Sequence, residues 1–258
     1  MKERLSLLVF LLIIACDSEE RPSFETIQTD FITTLNQNKK GADYYCRQGA
    51  LFVQNNIYKS RDSIDKQLQQ LPIIDTTFSL AIIKHDSSNY FDIGYYQLKD
   101  STPFSTSFVA DLQQTNKLAY MVAWKEEKGI WCKELEVLYP LHITNEIATQ
   151  TIDAARQEWE NWSNQHQPDS LIEELYDKHG FYLNDGYIYK GTKAIQTKYA
   201  YMLKDRWHIR LSTIQTVQVS DSLFYDVGQY VSDGKGHYFI LWQLQSDGKW
   251  RVLLDFNF

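Results

Sequence analysis

The second half of the chain switches from a helical hydrophobic period to a strand period. Ile152, Ala155, Trp159 and Trp162 recur at three-four-three spacing behind Thr144, with Glu146 in the expected first turn, which predicts an amphipathic helix. Ser170 with Glu173 three residues on reads as a capping box for a second helix ending at Gly180, where His179 would suit the helix dipole. Residues 181–184 and 187–190 read as a hairpin across Asp185-Gly186. Thr192 opens a third helix with Ile195, Tyr199 and Met202 inward. Alternating segments at 209–219, 223–231, 237–245 and 249–256 predict four strands, the last after an Asp247-Gly248 turn.

The same plan is written earlier in the chain. Tyr45, Gly49, Ile57, Tyr58, Lys59 and Ile64 recur as Tyr176, Gly180, Ile188, Tyr189, Lys190 and Ile195 at an offset of 131. The stretch from Tyr90 to Tyr96, with Asp92 and Gly94, returns as Phe224 to Tyr230, with Asp226 and Gly228, at an offset of 134. Tyr120 to Trp124 returns at 118, and Gly129 and Trp131 at 119, so the first copy carries an insertion near 97–115. Phe24, Ile27, Phe31 and Leu35 predict its opening helix, and Ile64, Leu68 and Leu71 its third. Ordered self-similarity of this kind marks a tandem duplication. The boundaries expected are 23–142 and 143–258. The complete element set of the second copy predicts a unit able to fold alone.

Helix, helix, hairpin, helix, then long strands in about 115 residues is an α+β pattern. Its order resembles the nuclear-transport-factor-2-like, or SnoaL-like, superfamily, which includes ketosteroid-isomerase-like proteins. The features that carry the likeness are Lys190-Gly191 before the third helix, Asp226-Val227-Gly228 on a strand, and the closing Asp247-Gly248-Lys249-Trp250. The resemblance implies two cone-shaped domains, each a strongly curved antiparallel sheet with three helices on its concave side. It also implies a pocket inside each cone, which the diverged first copy has room to have lost.

Composition changes the picture mainly by exclusion. The 258 residues are 43% hydrophobic and 23% charged, as in folded domains with a sizeable core. A net charge of −7 speaks against nucleic acid, whose phosphates need clustered Lys and Arg. Lys2 and Arg4 precede ten largely apolar residues from Leu5 to Ile14, too short to span a bilayer and typical of a signal peptide. Ile13-Ile14-Ala15-Cys16 resembles the bacterial lipobox, which implies a signal peptide over 1–15 and a lipidated Cys16. Residues 16–22 would form an acidic tether, and the acids behind the Cys resemble the surface-export signal of Bacteroidetes lipoproteins. The expected location is a bacterial cell envelope, anchored in the outer membrane, periplasmic or surface-exposed. Cys46 and Cys132 are left as a disulfide or as two separately buried thiols.

The candidate chemistry is sparse. No cofactor motif is present, and the six histidines show no metal-ligand spacing. Asp226 and Asp255 are the candidate acid/base pair, since each is matched by an acid, Asp92 or Glu136, in the first copy. Strand parity places both on the less apolar face, away from the expected core, where neither would control a reaction. Tyr187, Tyr189, Tyr225, Tyr238 and Trp242 are the candidate lining of an apolar pocket. The leading expectation is a non-enzymatic, lipid-anchored protein that binds a small apolar ligand or a partner protein. Domain–domain or homodimer packing through the sheet faces is the other expected contact. The alternative is an isomerase-, dehydratase- or cyclase-type enzyme using the second pocket. An ionisable group at the base of that cavity would separate the two.

Overall fold

The computed structural model describes residues 23–38, 40–99 and 115–258. The expected signal peptide, Cys16, its tether and most of the insertion lie outside these residues. The first domain runs α1 (Phe24–Asn38), β1 (Tyr45–Val53), β2 (Asn56–Tyr58), α2 (Arg61–Leu68), β3 (Ile74–Lys84), β4 (Asn89–Leu98), β5 (Lys117–Glu127) and β6 (Ile130–Pro140). The second runs α3 (Gln150–Asn164), α4 (Pro168–Leu175), β7 (Tyr176–Asn184), β8 (Tyr187–Lys190), α5 (Thr192–Tyr199), β9 (Arg210–Ser220), β10 (Leu223–Val231), β11 (Lys235–Leu244) and β12 (Trp250–Asn257).

The strand order is the same in both sheets, β2-β1-β6-β5-β4-β3 and β8-β7-β12-β11-β10-β9. Each six-stranded sheet is mixed rather than purely antiparallel, because β1 runs parallel to β6 and β7 parallel to β12. Left-handed pairs make the matching hairpin turns, Gln54-Asn55 in one copy and Asp185-Gly186 in the other.

Three local expectations change. Thr144 does not cap a helix: its backbone N–H and hydroxyl both go to Asp221, and α3 begins at Gln150. Helix α4 starts on Pro168, whose missing N–H costs nothing in the first turn, and ends at Leu175. His179 therefore lies within β7, not at a helix end. In the first domain only a 3₁₀ turn, Ala42–Tyr44, stands where the second has α4, so two helices rather than three are seen among the described residues.

Two glycine pairs survive duplication because neighbouring atoms leave no room for a Cβ. A Cβ on Gly49 would sit 2.4 Å from Lys133 O, and one on Gly180 3.0 Å from Val252 O, where the parallel strands close on a bulge. Gly94 and Gly228 lie opposite Tyr120 and Tyr238, and a Cβ there would sit 2.6 and 2.3 Å from the tyrosine hydroxyl.

Each sheet has one face under its helices and one against the other sheet. Phe31, Leu35, Ile64, Leu68, Tyr120 and Trp124 build the helix-side core of the first domain. Ile152, Trp159, Ile195, Tyr199, Phe224 and Trp242 build that of the second. The opposite faces meet in one cluster that includes Phe52, Phe91, Met121 and Val137 from one sheet with Phe181, Tyr225, Phe239 and Phe256 from the other. The most apolar strand faces are thus buried between the domains. A disulfide joins Cys46 to Cys132, tying β1 to β6 in the first domain.

Candidate functional site

The second domain holds a cavity of about 260 Å³ beneath its helices. Its aromatic lining comes from Trp159 on α3, Tyr182 on β7, Tyr199 on α5, Tyr201 and Trp207 just beyond it, Tyr230 on β10 and Tyr238 on β11. Asp255, Asn257, Asn184, Ser232 and Lys198 supply the polar groups.

Asp255 reaches this cavity through a break in strand alternation. Val252 pairs with Trp242 and Leu254 with Leu241, leaving Leu253 as an extra residue in β12. Val252 faces the helices, Leu253 and Leu254 pack between the domains, and Asp255 turns back to the helix side. The side chain is 3% exposed. One oxygen, Oδ2, accepts from Tyr176 Oη at 2.6 Å and Tyr199 Oη at 2.5 Å. Trp159 Nε1 donates to Tyr176 Oη at 3.1 Å, which directs that hydroxyl's own proton to the carboxyl. Among the described residues no hydrogen bond goes to the other oxygen. Burial pushes the carboxyl up to about 6, and the two tyrosines pull it partly back. Burial and the Asp255 charge hold both tyrosine hydroxyls well above their ordinary range, so they remain donors.

Asp226 has a different role. It is fully buried on the helix side of β10, not on an outer face. Arg156 on α3 grips it with two bonds, Nε to Oδ2 at 3.0 Å and Nη2 to Oδ1 at 2.9 Å. Trp242 Nε1, Thr213 Oγ1 and Thr216 Oγ1 add donors at 3.2, 3.2 and 3.4 Å. Both oxygens are occupied, and the pair clips α3 to the sheet. The sequence expectation that Asp226 and Asp255 point away from the core is therefore corrected. For Asp226 the parity was right, but the less apolar face is the one under the helices. For Asp255 the bulge reverses the parity.

Of the five aromatics expected to line a pocket, Tyr238 does. Trp242 lies beneath the cavity on Asp226, and Tyr225 is buried between the domains near Ala119 O and Val137 O. Tyr187 is 67% exposed. Tyr189 stacks on Tyr182 at 5.8 Å, one layer behind the lining. Sequence reasoning missed Tyr176 and Tyr199, the residues that hold Asp255. The identity of Tyr176 with Tyr45 was the available signal. The helical period places Tyr199 on an inner face but gives no sign of a site role, and its counterpart at the 131 offset is Leu68.

The first domain shows the same positions without an open site. Glu136, matching Asp255, is fully buried and accepts from Tyr45, from Tyr96 Oη at 2.9 Å and from Lys133 Nζ at 2.9 Å. Lys133, at the place of Val252, lies over the Phe31 ring at 3.2 Å from its centroid. The first domain thus holds an internal ion pair and a cation–π contact where the second has Val252 and an unpaired Asp255 among the described residues. Asp92 loses the arginine its counterpart has, because Gln28 stands there and gives its amide to Tyr96. Burial lifts the Asp92 carboxyl to about 6, against donors at Ser79 and Tyr120. Among the described residues the grouping of metal-type donors is Cys46, Glu127 and Cys132, and its two sulfurs are bonded to each other.

Fold and site together define a duplicated α+β protein with one filled and one open helix-covered sheet. No protein-family model matches the chain, and no curated protein matches it. Solved structures do. An NTF-2-like protein of unknown function from Shewanella oneidensis MR-1 is 13% identical, with 43% of this chain and 98% of that one covered and a TM-score of 0.39. A ketosteroid isomerase-like protein from Erwinia carotovora atroseptica SCRI1043 is 14% identical, with 42% and 92% covered and a TM-score of 0.35. An uncharacterized protein with a cystatin-like fold from Caulobacter vibrioides is 20% identical, with 42% and 87% covered and a TM-score of 0.38. These likenesses concern the fold alone.

Proposed function

We propose that the second domain binds a small, largely apolar molecule and exchanges a proton with it through Asp255, as an isomerase- or dehydratase-type site does. One observation carries this: a buried carboxyl at the wall of an aromatic cavity, with one oxygen held by two tyrosines and the other free. At neutral pH a group titrating near 6 is mostly ionised yet still a useful base. It takes a proton from a carbon beside a carbonyl and returns it elsewhere on the same molecule, so no co-reactant is needed. Tyr176 and Tyr199 fix the carboxyl at the cavity wall. The expected enzyme gains activity as pH rises through about 6 and loses it in Asp255→Asn. A variant with unchanged turnover would exclude this role.

The non-enzymatic reading rests on a specific observation as well. Both tyrosine hydroxyls are spent on Asp255, and Asp226 is locked by Arg156, so neither supplies a second proton donor. Under that reading Asp255→Asn retains ligand binding and no turnover is found in either form.

We also place the protein on the cell envelope through a lipidated Cys16, a reading supported by the sequence alone. Cys16→Ser is expected to abolish fatty-acid labelling and release the protein from the membrane fraction. Continued labelling and membrane retention would remove the anchor from this account.

A further inference from the structure

Lys198 is the one basic side chain among the residues that line the cavity, and Asp255 the one acidic side chain. Lys198 precedes Tyr199 on α5, and both residues line the cavity. It is half-buried, its Nζ lies 5.4 Å from the centre of the Tyr189 ring, and no carboxylate pairs with it among the described residues. The acids adjacent in sequence to other lining residues, Glu158, Glu160, Asp185 and Asp233, all lie outside the lining, and Glu160 is taken up by Leu211 N at 2.6 Å. A half-buried lysine without a counter-ion favours an anionic guest.

The size and walls narrow the guest further. At about 260 Å³ the cavity is just under the roughly 300–1,000 Å³ typical of drug-sized ligands, which suits a single ring with a short side chain. Flat aromatic faces stand around it, with Tyr182 and Tyr199 rings 5.0 Å apart and Tyr201 and Trp207 rings 4.8 Å apart. A phosphate carries close to two charges and calls for several donors or an arginine fork. One lysine with side-chain amides nearby matches a single carboxylate instead.

We propose that the cavity takes a one-ring organic acid, its carboxylate on Lys198, its ring among the aromatic walls, and its reacting end at Asp255. This rests on the reading of the cavity as a binding site. The test uses the full chain and three probes of one shape, 3-phenylpropionate, its methyl ester and 3-phenylpropylamine, titrated by calorimetry at pH 7.5. The acid is expected to bind at least about tenfold more tightly than the ester, a difference of about 1.4 kcal/mol. Lys198→Gln should bring the acid down to the ester's affinity and leave the ester unchanged. Lys190→Gln, an exposed lysine outside this cavity, should change neither. Equal binding of acid and ester, or tighter binding of the amine, overturns the ligand class while leaving the cavity as a binding site. Absence of binding by all three also overturns it. The titration of Asp255, read separately on the same sample, then decides whether the underlying reading fails with it.

Discussion

Asp226 and Asp255 are both buried carboxylates on neighbouring stretches of one sheet, yet their partners give them opposite consequences. Asp226 balances a guanidinium that is itself buried, so Asp226→Asn leaves Arg156 with only the half-exposed Asp153 as counter-charge. Breaking a buried pair in this way costs about 3–5 kcal/mol. Asp255 has no cationic partner among the described residues and already bears a desolvation penalty, so Asp255→Asn is expected to change stability by under about 1 kcal/mol. Urea midpoints of the two variants check this contrast directly. Equal losses would mean that Asp255 is as structural as Asp226. The pH dependence follows with a definite sign. Asp92 and Asp255 both titrate near 6 when folded and near 3.8 otherwise, so the folded state holds more protons between those values. The stability they contribute is fully present below about pH 3.8 and lost as pH rises through about 6. Asp92→Asn with Asp255→Asn should flatten stability across that interval.

At the scale of the elements, periodicity located most helices and strands because each buries one face under a regular period. The repeat then aligned the two copies residue by residue. Two things were not legible. A bulge inserts one residue, and nothing in Trp250–Asn257 announces that alternation breaks at Leu253. The other was which face is inside. Leu223, Tyr225 and Val227 form the more apolar face of β10, and in an isolated sheet that face would be the core. Here it meets the other domain, and the polar residues of the opposite face become the site. The Gly228–Tyr238 pair belongs to this scale too. Its close approach predicts that Gly228→Ala costs about 1–3 kcal/mol through overpacking against Tyr238 and Ser212 O. Gly234→Ala, with nothing within 4 Å of its Cβ, should be close to neutral. Thermal denaturation of the two variants tests the assignment, and a neutral Gly228→Ala would argue against the cross-strand contact.

For the whole molecule, duplication has allowed one copy to close and the other to stay open. The first domain contributes a filled core, a disulfide and one side of the interdomain cluster. The second contributes the cavity. The domains form separate sheets of the same topology but share a core, which bears on the expectation that the second folds alone. Released from its partner, residues 143–258 expose Phe181, Tyr225, Phe239 and Phe256 on one face. Such a patch favours association. The isolated domain is expected to elute as a dimer or larger species, and a stable monomer would show that the shared cluster contributes little. His85 and His237 stand at the same boundary with their Nδ1 atoms 2.7 Å apart. Burial and the neighbouring imidazole hold His237 below its ordinary range, so His237 opposes the two carboxyls: its contribution is present above the ordinary histidine range and lost as pH falls through its lowered value.

Asp255 is the protonatable group that lines the open cavity. The most direct measurement is the carbon-13 NMR titration of its carboxyl in the full chain, with Asp255→Asn to assign the resonance. Asp92 serves as an internal control, since it shares the elevated value but not the cavity. The predicted result is a midpoint near 6 for both, with 3-phenylpropionate shifting Asp255 alone. A midpoint for Asp255 near the roughly 3.9 of a free aspartate would contradict the account.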